Sequence, residues 1–161
     1  MSQGSFKGAN FGYWSGSEDE ETADSPGGYF SVFLAGATLL IGDLVYLSAA
    51  HTVNKSVTQT LYTAGIGVVI GGDGVYMQVL QDDTSIGFTA GLVNQRVIVG
   101  VVGKFKVLSD SAITLGAVVT GGTVTAGRAK TDVTAQRLMA TALETASGAA
   151  EKILALFTGI H

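Results

Sequence analysis

The residues best suited to chemistry are few in this chain, and they stand apart. It has two histidines, His51 and His161, and no cysteine. A zinc site or a Ser-His-Asp relay needs several such side chains gathered at fixed spacing. Neither histidine has a second ligand-type residue at that spacing, and no serine lies in a G-x-S-x-G setting. GIGVVIGG, residues 65–72, has the look of a dinucleotide-binding glycine loop, but that fingerprint needs glycine where Ile70 stands. Gly71-Gly72-Asp73-Gly74 offers one carboxylate, which suits a turn better than a calcium loop. Asp82-Asp83 and the run Glu18 to Glu21 are adjacent carboxylates of the kind that water solvates. Asn54-Lys55-Ser56 is a glycosylation sequon, without meaning unless the chain is secreted. No enzymatic activity, cofactor or metal is expected from this inventory.

What remains is the chemistry of contact. Phe6, Phe11, Tyr13 and Trp14 stand among glycines, followed by Glu18, Asp19, Glu20 and Glu21. Such aromatics either fold back on the domain's own edge or anchor the segment on a neighbouring subunit. Lys104 and Lys106 alternate with Phe105 and Val107, so a strand here would carry both lysines on one face. Together with Arg96 they could form a basic strip for an acidic partner, such as another copy's Glu18 to Glu21. Alternating lysines also guard a strand surface against aggregation.

The composition limits what these contacts can be. The chain has 161 residues, which suits one domain with a single core. Charged residues make up 14%, against about 25% in ordinary soluble domains. Glycine supplies 23 residues, about twice its usual ~7% share. So little charge implies a surface partly covered by a partner or by sister subunits. The net charge of −4 sits wholly in residues 1–28, where five acids face Lys7 alone. The remaining body balances eight acids with eight bases, so it offers no electrostatic footprint for nucleic acid. The weakly charged run 34–50 contains Asp43 and is shorter than the ~20 apolar residues of a membrane span. The first residues lack the apolar core of a signal peptide, so synthesis in a cytoplasm is expected.

The elements that must position these residues are short strands. Residues 1–28 read as an acidic and aromatic arm ending in Pro26-Gly27-Gly28. From Tyr29 onward, apolar runs alternate with turn residues: YFSVFLA (29–35), LVYLS (44–48), VYMQVL (75–80), RVIVGVV (96–102), GKFKVL (103–108) and KILALF (152–157). TAQRLMATALETASGAAEKIL, 134–154, is rich in alanine and leaves room for a short helix within 132–151. The pattern predicts a mainly β fold, a compact barrel or sandwich with at most one or two short helices and an extended N-terminal arm.

The runs also repeat. TLLIGDLVYLS (38–48) and AITLGAVVTGG (112–122) each set a glycine between two apolar segments. With Gly42 on Gly116, an offset of 74, Leu44-Val45 falls on Val118-Val119. IGVVI (66–70) falls on MATAL (139–143) at an offset of 73, which argues that MATAL is a strand. Val53 falls on Val124 after a three-residue gap. Two similar β units, about 29–80 and 96–161, would then share one core. Gly42 and Gly116 would occupy matched turns that need a positive φ or a close backbone approach.

This duplicated pattern resembles the capsid cement, or decoration, proteins of tailed bacteriophages, with their I-T-x-G-D-x-V units and closing I-G-V-A-L-E strands. The first unit supplies Leu40-Ile41-Gly42-Asp43-Leu44-Val45 and Ile66-Gly67-Val68-Val69-Ile70. The second supplies Ile113-Thr114-Leu115-Gly116-Ala117-Val118 and Met139-Ala140-Thr141-Ala142-Leu143-Glu144. Between them, Val99 to Val107 is similar to the family's central strand. Ala117 stands where the family pattern has Asp, and residues 81–95 are longer than the family core. The resemblance spans about 29–161. It implies a non-enzymatic structural protein on the outside of the virion capsid, made in the host cytoplasm and commonly a homotrimer. Such a protein bridges major capsid proteins and stabilises the expanded shell. It implies no nucleic-acid and no membrane partner. A tail or spike component and a small sugar- or ligand-binding β module are the alternative readings.

Overall fold

The computed structural model describes residues 28–57, 65–75, 84–122, 124–131 and 140–158. Their elements are eleven strands and one 3-10 turn. In chain order the strands are β1 Gly28–Ala35, β2 Leu39–Leu40, β3 Leu44–Ala49, β4 Thr52–Lys55, β5 Gly65–Gly72, β6 Thr89–Gly91, β7 Arg96–Leu108, β8 Val118–Gly121, β9 Ala129–Thr131, β10 Ala140–Ala142 and β11 Lys152–Thr158. The 3-10 turn is Asp73–Val75.

Nine of the strands form two closed ladders that share β7, and β2 pairs with β6 apart from them. In the first unit β7 pairs with β1 and β5, β5 with β3, and β3 with β4. A parallel contact of β4 with β1, Leu34 to Thr52 and Ala35 to Val53, closes the circuit. In the second unit the far half of β7 pairs with β11, β11 with β10, β10 with β8, and β8 with β9. A parallel bridge from Ser109 to Ala129 closes that one. The fold is mainly β, a compact barrel-like arrangement of two similar units.

Register confirms that the units are alike. Val32 faces Ile98 and Phe33 faces Val97 in the first unit. At the same steps in the second, Lys106 faces Leu154 and Val107 faces Ile153. Leu44 faces Val68 and Val45 faces Gly67, as Val118 faces Thr141 and Val119 faces Ala140. The offsets of 74 and 73 therefore hold at hydrogen-bond resolution. The Val53 alignment does not. The Gly36 N–H donates to Val53 O (2.8 Å) and the Asp110 N–H to Ala129 O (2.6 Å), so the counterpart of Val53 is Ala129. Val124 is 86% exposed, in the turn between β8 and β9. That turn is longer than its first-unit counterpart, and a gap placed on valine identity alone went the wrong way.

Other expectations shift. RVIVGVV and GKFKVL are one thirteen-residue strand, with Gly103 (φ +130°) at its middle. The unit boundary thus falls at Gly103 inside β7, not ahead of Arg96. Gly28 already pairs with Gly103, so the β body begins one residue before Tyr29. MATAL is a strand over Ala140–Ala142, and no helix occurs in the described part of 132–151. Of VYMQVL, only Val75 is described, in the 3-10 turn.

Alternation explains the cores. Val45, Val53, Val69, Val97 and Val99 are fully buried in the first unit. Phe105, Val107, Val119, Ile153 and Phe157 fill the second, with the Phe105 and Phe157 rings tilted at 58° and 5.9 Å apart. Burying one such side chain contributes about 1.5–3 kcal/mol. An exposed ion pair contributes about 0–1 kcal/mol. The apolar period of two therefore sets this fold, and charge placement does not.

Candidate functional site

The two matched glycine turns come first, since the sequence singles them out. The Gly42 N–H donates to Val69 O (2.8 Å), the Val69 N–H to Asp43 O (2.9 Å), and the Asp43 N–H to Leu40 O (3.1 Å). In the second unit the Gly116 N–H donates to Ala142 O (2.8 Å), the Ala142 N–H to Ala117 O (2.9 Å), and the Ala117 N–H to Thr114 O (3.0 Å). The glycines have φ of +99° and +82°, the left-handed region that other L-residues avoid. These turns are structural: each reverses the chain and stitches it to the closing strand.

Smaller devices repeat as well. Gln95 Oε1 accepts the Leu92 N–H (2.8 Å), and Glu151 Oε1 accepts the Gly148 N–H (3.2 Å). Asn94 and Ala150 hold positive φ, 68° and 65°, one residue ahead of each. Glu151 also accepts from the Ser147 hydroxyl (2.9 Å), and the Ser147 bonds hold its carboxyl below the usual range.

Two buried aspartates could have suggested catalysis, but both bind backbone. Asp43 Oδ2 accepts the Leu40 N–H (2.8 Å) and lies 3.5 Å from Lys55 Nζ. Burial raises its pKa above the ordinary value, against the opposing pull of the Leu40 N–H, Lys55 and Arg128. Asp110 spreads its two oxygens over the Val124 and Thr125 N–H groups, both at 3.0 Å. Both carboxylates tie down backbone N–H groups of neighbouring turns.

The surface carries the remaining candidates. Phe6, Phe11, Tyr13, Trp14, Glu18, Asp19, Glu20 and Glu21 lie outside the described residues. Lys104 and Lys106 share the outer face of β7, opposite buried Phe105 and Val107. Their cross-strand partners are Leu156 and Leu154. Arg96 does not extend this strip. It lies eight residues away, roughly 26 Å along the strand. Its guanidinium bonds Asp73 (3.1 Å), which lowers the Asp73 pKa.

Sequence reasoning missed the apolar part of this surface. Leu154 and Leu156 alternate with buried Ile153, Ala155 and Phe157, so KILALF already announced an outward leucine pair. At the far end of the first unit, Phe88, Leu92 and Val93 flank β6 and are all more than half exposed. No periodic signal marks those three, because they sit in turns.

Among the described residues, no three His, Cys, Asp or Glu side chains gather as a metal site requires. No described helix is long and apolar enough to cross a membrane. No protein-family model matches the chain, and no curated protein matches it.

Proposed function

We propose that this is a structural virion protein, a cement or decoration protein that binds the outer surface of a phage capsid and bridges major capsid proteins. The observation that carries the reading is the register-matched pair of units, each opened by a positive-φ glycine turn. It is the same duplicated pattern on which the sequence resemblance rests. The surface supports it further. Outward apolar side chains on both units, with little charge among them, suit attachment by many weak contacts to a repeating lattice. On this reading the protein is not an enzyme, needs no cofactor, contacts neither nucleic acid nor membrane, and assembles with itself, as a homotrimer in the resembled family.

Cosedimentation with expanded and unexpanded phage shells tests it. Binding confined to expanded shells, and shells that better resist heat when decorated, are the expected results. A chain that ignores both shells would remove the proposal. Labelling in electron micrographs that lands on tails or spikes would assign it to another part of the particle. Removing residues 1–27 should weaken shell binding at least tenfold while leaving the β circular-dichroism spectrum intact. Unchanged binding would take the arm out of the mechanism.

A further inference from the structure

The outward face that β7 and β11 share is laid out in three rows. The register sets Lys104 beside Leu156, Lys106 beside Leu154 and Leu108 beside Lys152. Each row joins one lysine to one leucine, while Phe105, Val107, Ile153 and Ala155 between them point inward and are buried. Facing residues of an antiparallel pair stand close enough to act as one surface. The Glu144 carboxylate reaches this face, where its Oε2 accepts the Leu154 N–H (3.0 Å). The rows therefore form an apolar strip rimmed by positive charge.

The first unit shows that the ladder does not require these lysines. The Ser109 N–H donates to Glu151 O as the Ala35 N–H donates to Gln95 O, both at 2.9 Å. The matching rows of the first unit are then Phe30 with Gly100, Val32 with Ile98 and Leu34 with Arg96. Part of them is covered from within the chain. Ile98 is 4% exposed, and the Phe105 ring lies so close to Gly100 that an added Cβ would come within 2.5 Å of it. The same strand positions accept Phe30 and Val32 in one unit, so Lys104 and Lys106 answer to something outside the ladder. A guard against aggregation does not account for Leu154 and Leu156, which stand in the same rows.

The chain supplies one segment of matching chemistry, and it begins beside the rows. Gly28 pairs with Gly103, next to Lys104. Tyr29 and Thr158 both pair with Val102, so β1 and β11 lie on opposite edges of β7. Residues 1–27 therefore join β1 at the edge of β7 away from β11. Glu21 to Glu18 stand seven to ten residues before Gly28, with Trp14 and Tyr13 ahead of them. At about 3.3 Å per residue the acids reach ~23–33 Å from Gly28, and the rows end about 17 Å from Gly103. The whole net charge of −4 lies in residues 1–28.

We propose that the lysine–leucine face of β7 and β11 is the seat of this chain's own residues 13–21, with Glu18 to Glu21 on Lys104, Lys106 and Lys152 and with Tyr13 and Trp14 on Leu154 and Leu156. An exposed ion pair contributes little alone, but a tethered segment meets its own face at high effective concentration, so several weak contacts suffice. The free protein thus covers its own outward leucines, and a partner of either the face or the arm must displace the other. The inference rests on the rows and on chain connectivity, not on the capsid reading; a seated arm would stand even if no shell were bound.

Trp14 is the sole tryptophan, so its fluorescence reports on the arm in the full-length protein. At low salt its quenching by acrylamide should be at least twofold weaker than in molar salt, which screens the ion pairs. K104E/K106E, with unchanged circular dichroism, should show the strong quenching already at low salt. Adding E18K/E20K to that variant should restore the weak quenching. If K104E/K106E loses its β spectrum, K104Q/K106Q is read in its place. A carbodiimide condenses a carboxylate with a lysine amine and releases water. It should join Glu18 to Glu21 to Lys104, Lys106 or Lys152 within one chain, which mixtures of ordinary and isotope-labelled protein distinguish from joining between chains. Equal quenching of the parent and the lysine variant at low salt, strong in both or weak in both, overturns the inference. So do cross-links that mix the two isotopes as often as chance allows, which would put the arm on another molecule.

Discussion

The two units follow the same ladder but differ in what completes them. The first has an apolar cluster of its own, with Ile41 buried beneath Ile86. The second has Leu115 at the matching position, 63% exposed, and its cluster is finished by side chains borrowed from the first unit's outer face. At the turn, Asp43 binds its own backbone and Lys55, whereas Ala117 has no side chain to do so. The contrast teaches that duplication preserved hydrogen-bond register and the turns, and relaxed most of the side chains. Register is shared by whole strands and fails all at once, whereas a single side chain can be exchanged against its neighbour.

The largest expected effect tests the borrowed core. Phe105→Ala removes the ring that covers Gly100 and packs on Phe157, so it should cost about 3–5 kcal/mol in urea unfolding. The matched change Ser31→Ala, at an exposed site, should stay within about 0.5 kcal/mol. Similar losses from both would mean that the units support each other equally, and the asymmetry drawn above would be wrong.

The turns give the next effect. Gly42→Val must adopt φ near +99° with a branched side chain and crowd Ile86, which an added Cβ would meet at 3.4 Å. Left-handed strain of about 1–2 kcal/mol and overpacking of about 1–3 kcal/mol should add. Gly116→Val has the same kind of φ, but nothing lies within 4 Å of an added Cβ, so only the strain of about 1–2 kcal/mol applies. Thermal melts of both variants should rank Gly42→Val well below Gly116→Val. A Gly42→Val protein as stable as the parent would show that the turn tolerates what its geometry forbids.

Much of this was legible in the sequence, for a definite reason. The alternation of KILALF and GKFKVL has the period of a strand, and the glycines at 42 and 116 mark a matched reversal of the chain in each unit. Those signals are local. Strands β4 and β9 are only four and three residues long, too short for a period to emerge, so matching by residue identity sets Val53 against Val124 where the register sets it against Ala129. The outward apolar face of the second unit is hidden for a different reason. Val118, Thr141, Leu154 and Leu156 lie on three strands, and only the ladder registers bring them to one face. Nor can composition tell a covered leucine from an open one: Leu44 and its counterpart Val118 look alike until the second unit is seen lying on the first.

The smallest effect concerns Asp43, the charged group that one unit has and the other lacks. Burial is the dominant influence on its carboxyl and raises the folded pKa above the ordinary 3.8. Over the window just above 3.8 the folded state therefore binds more proton than the unfolded chain, and stability must rise as pH falls through it. Asp73 and Glu151 act in the opposite sense, since their folded values are lowered and their contribution fades on acidification. Both remain in Asp43→Asn, so they cancel when the two proteins are compared. At pH 7 the variant keeps an acceptor for the Leu40 N–H and loses the Lys55 pair, a change of about 1 kcal/mol or less. The advantage of the parent over Asp43→Asn should then grow as the pH of urea titrations is lowered from 7 toward 4. A difference that shrinks instead would mean that Lys55 and the Leu40 N–H outweigh burial, and that Asp43 holds its turn as an ion, unlike the uncharged turn at Ala117.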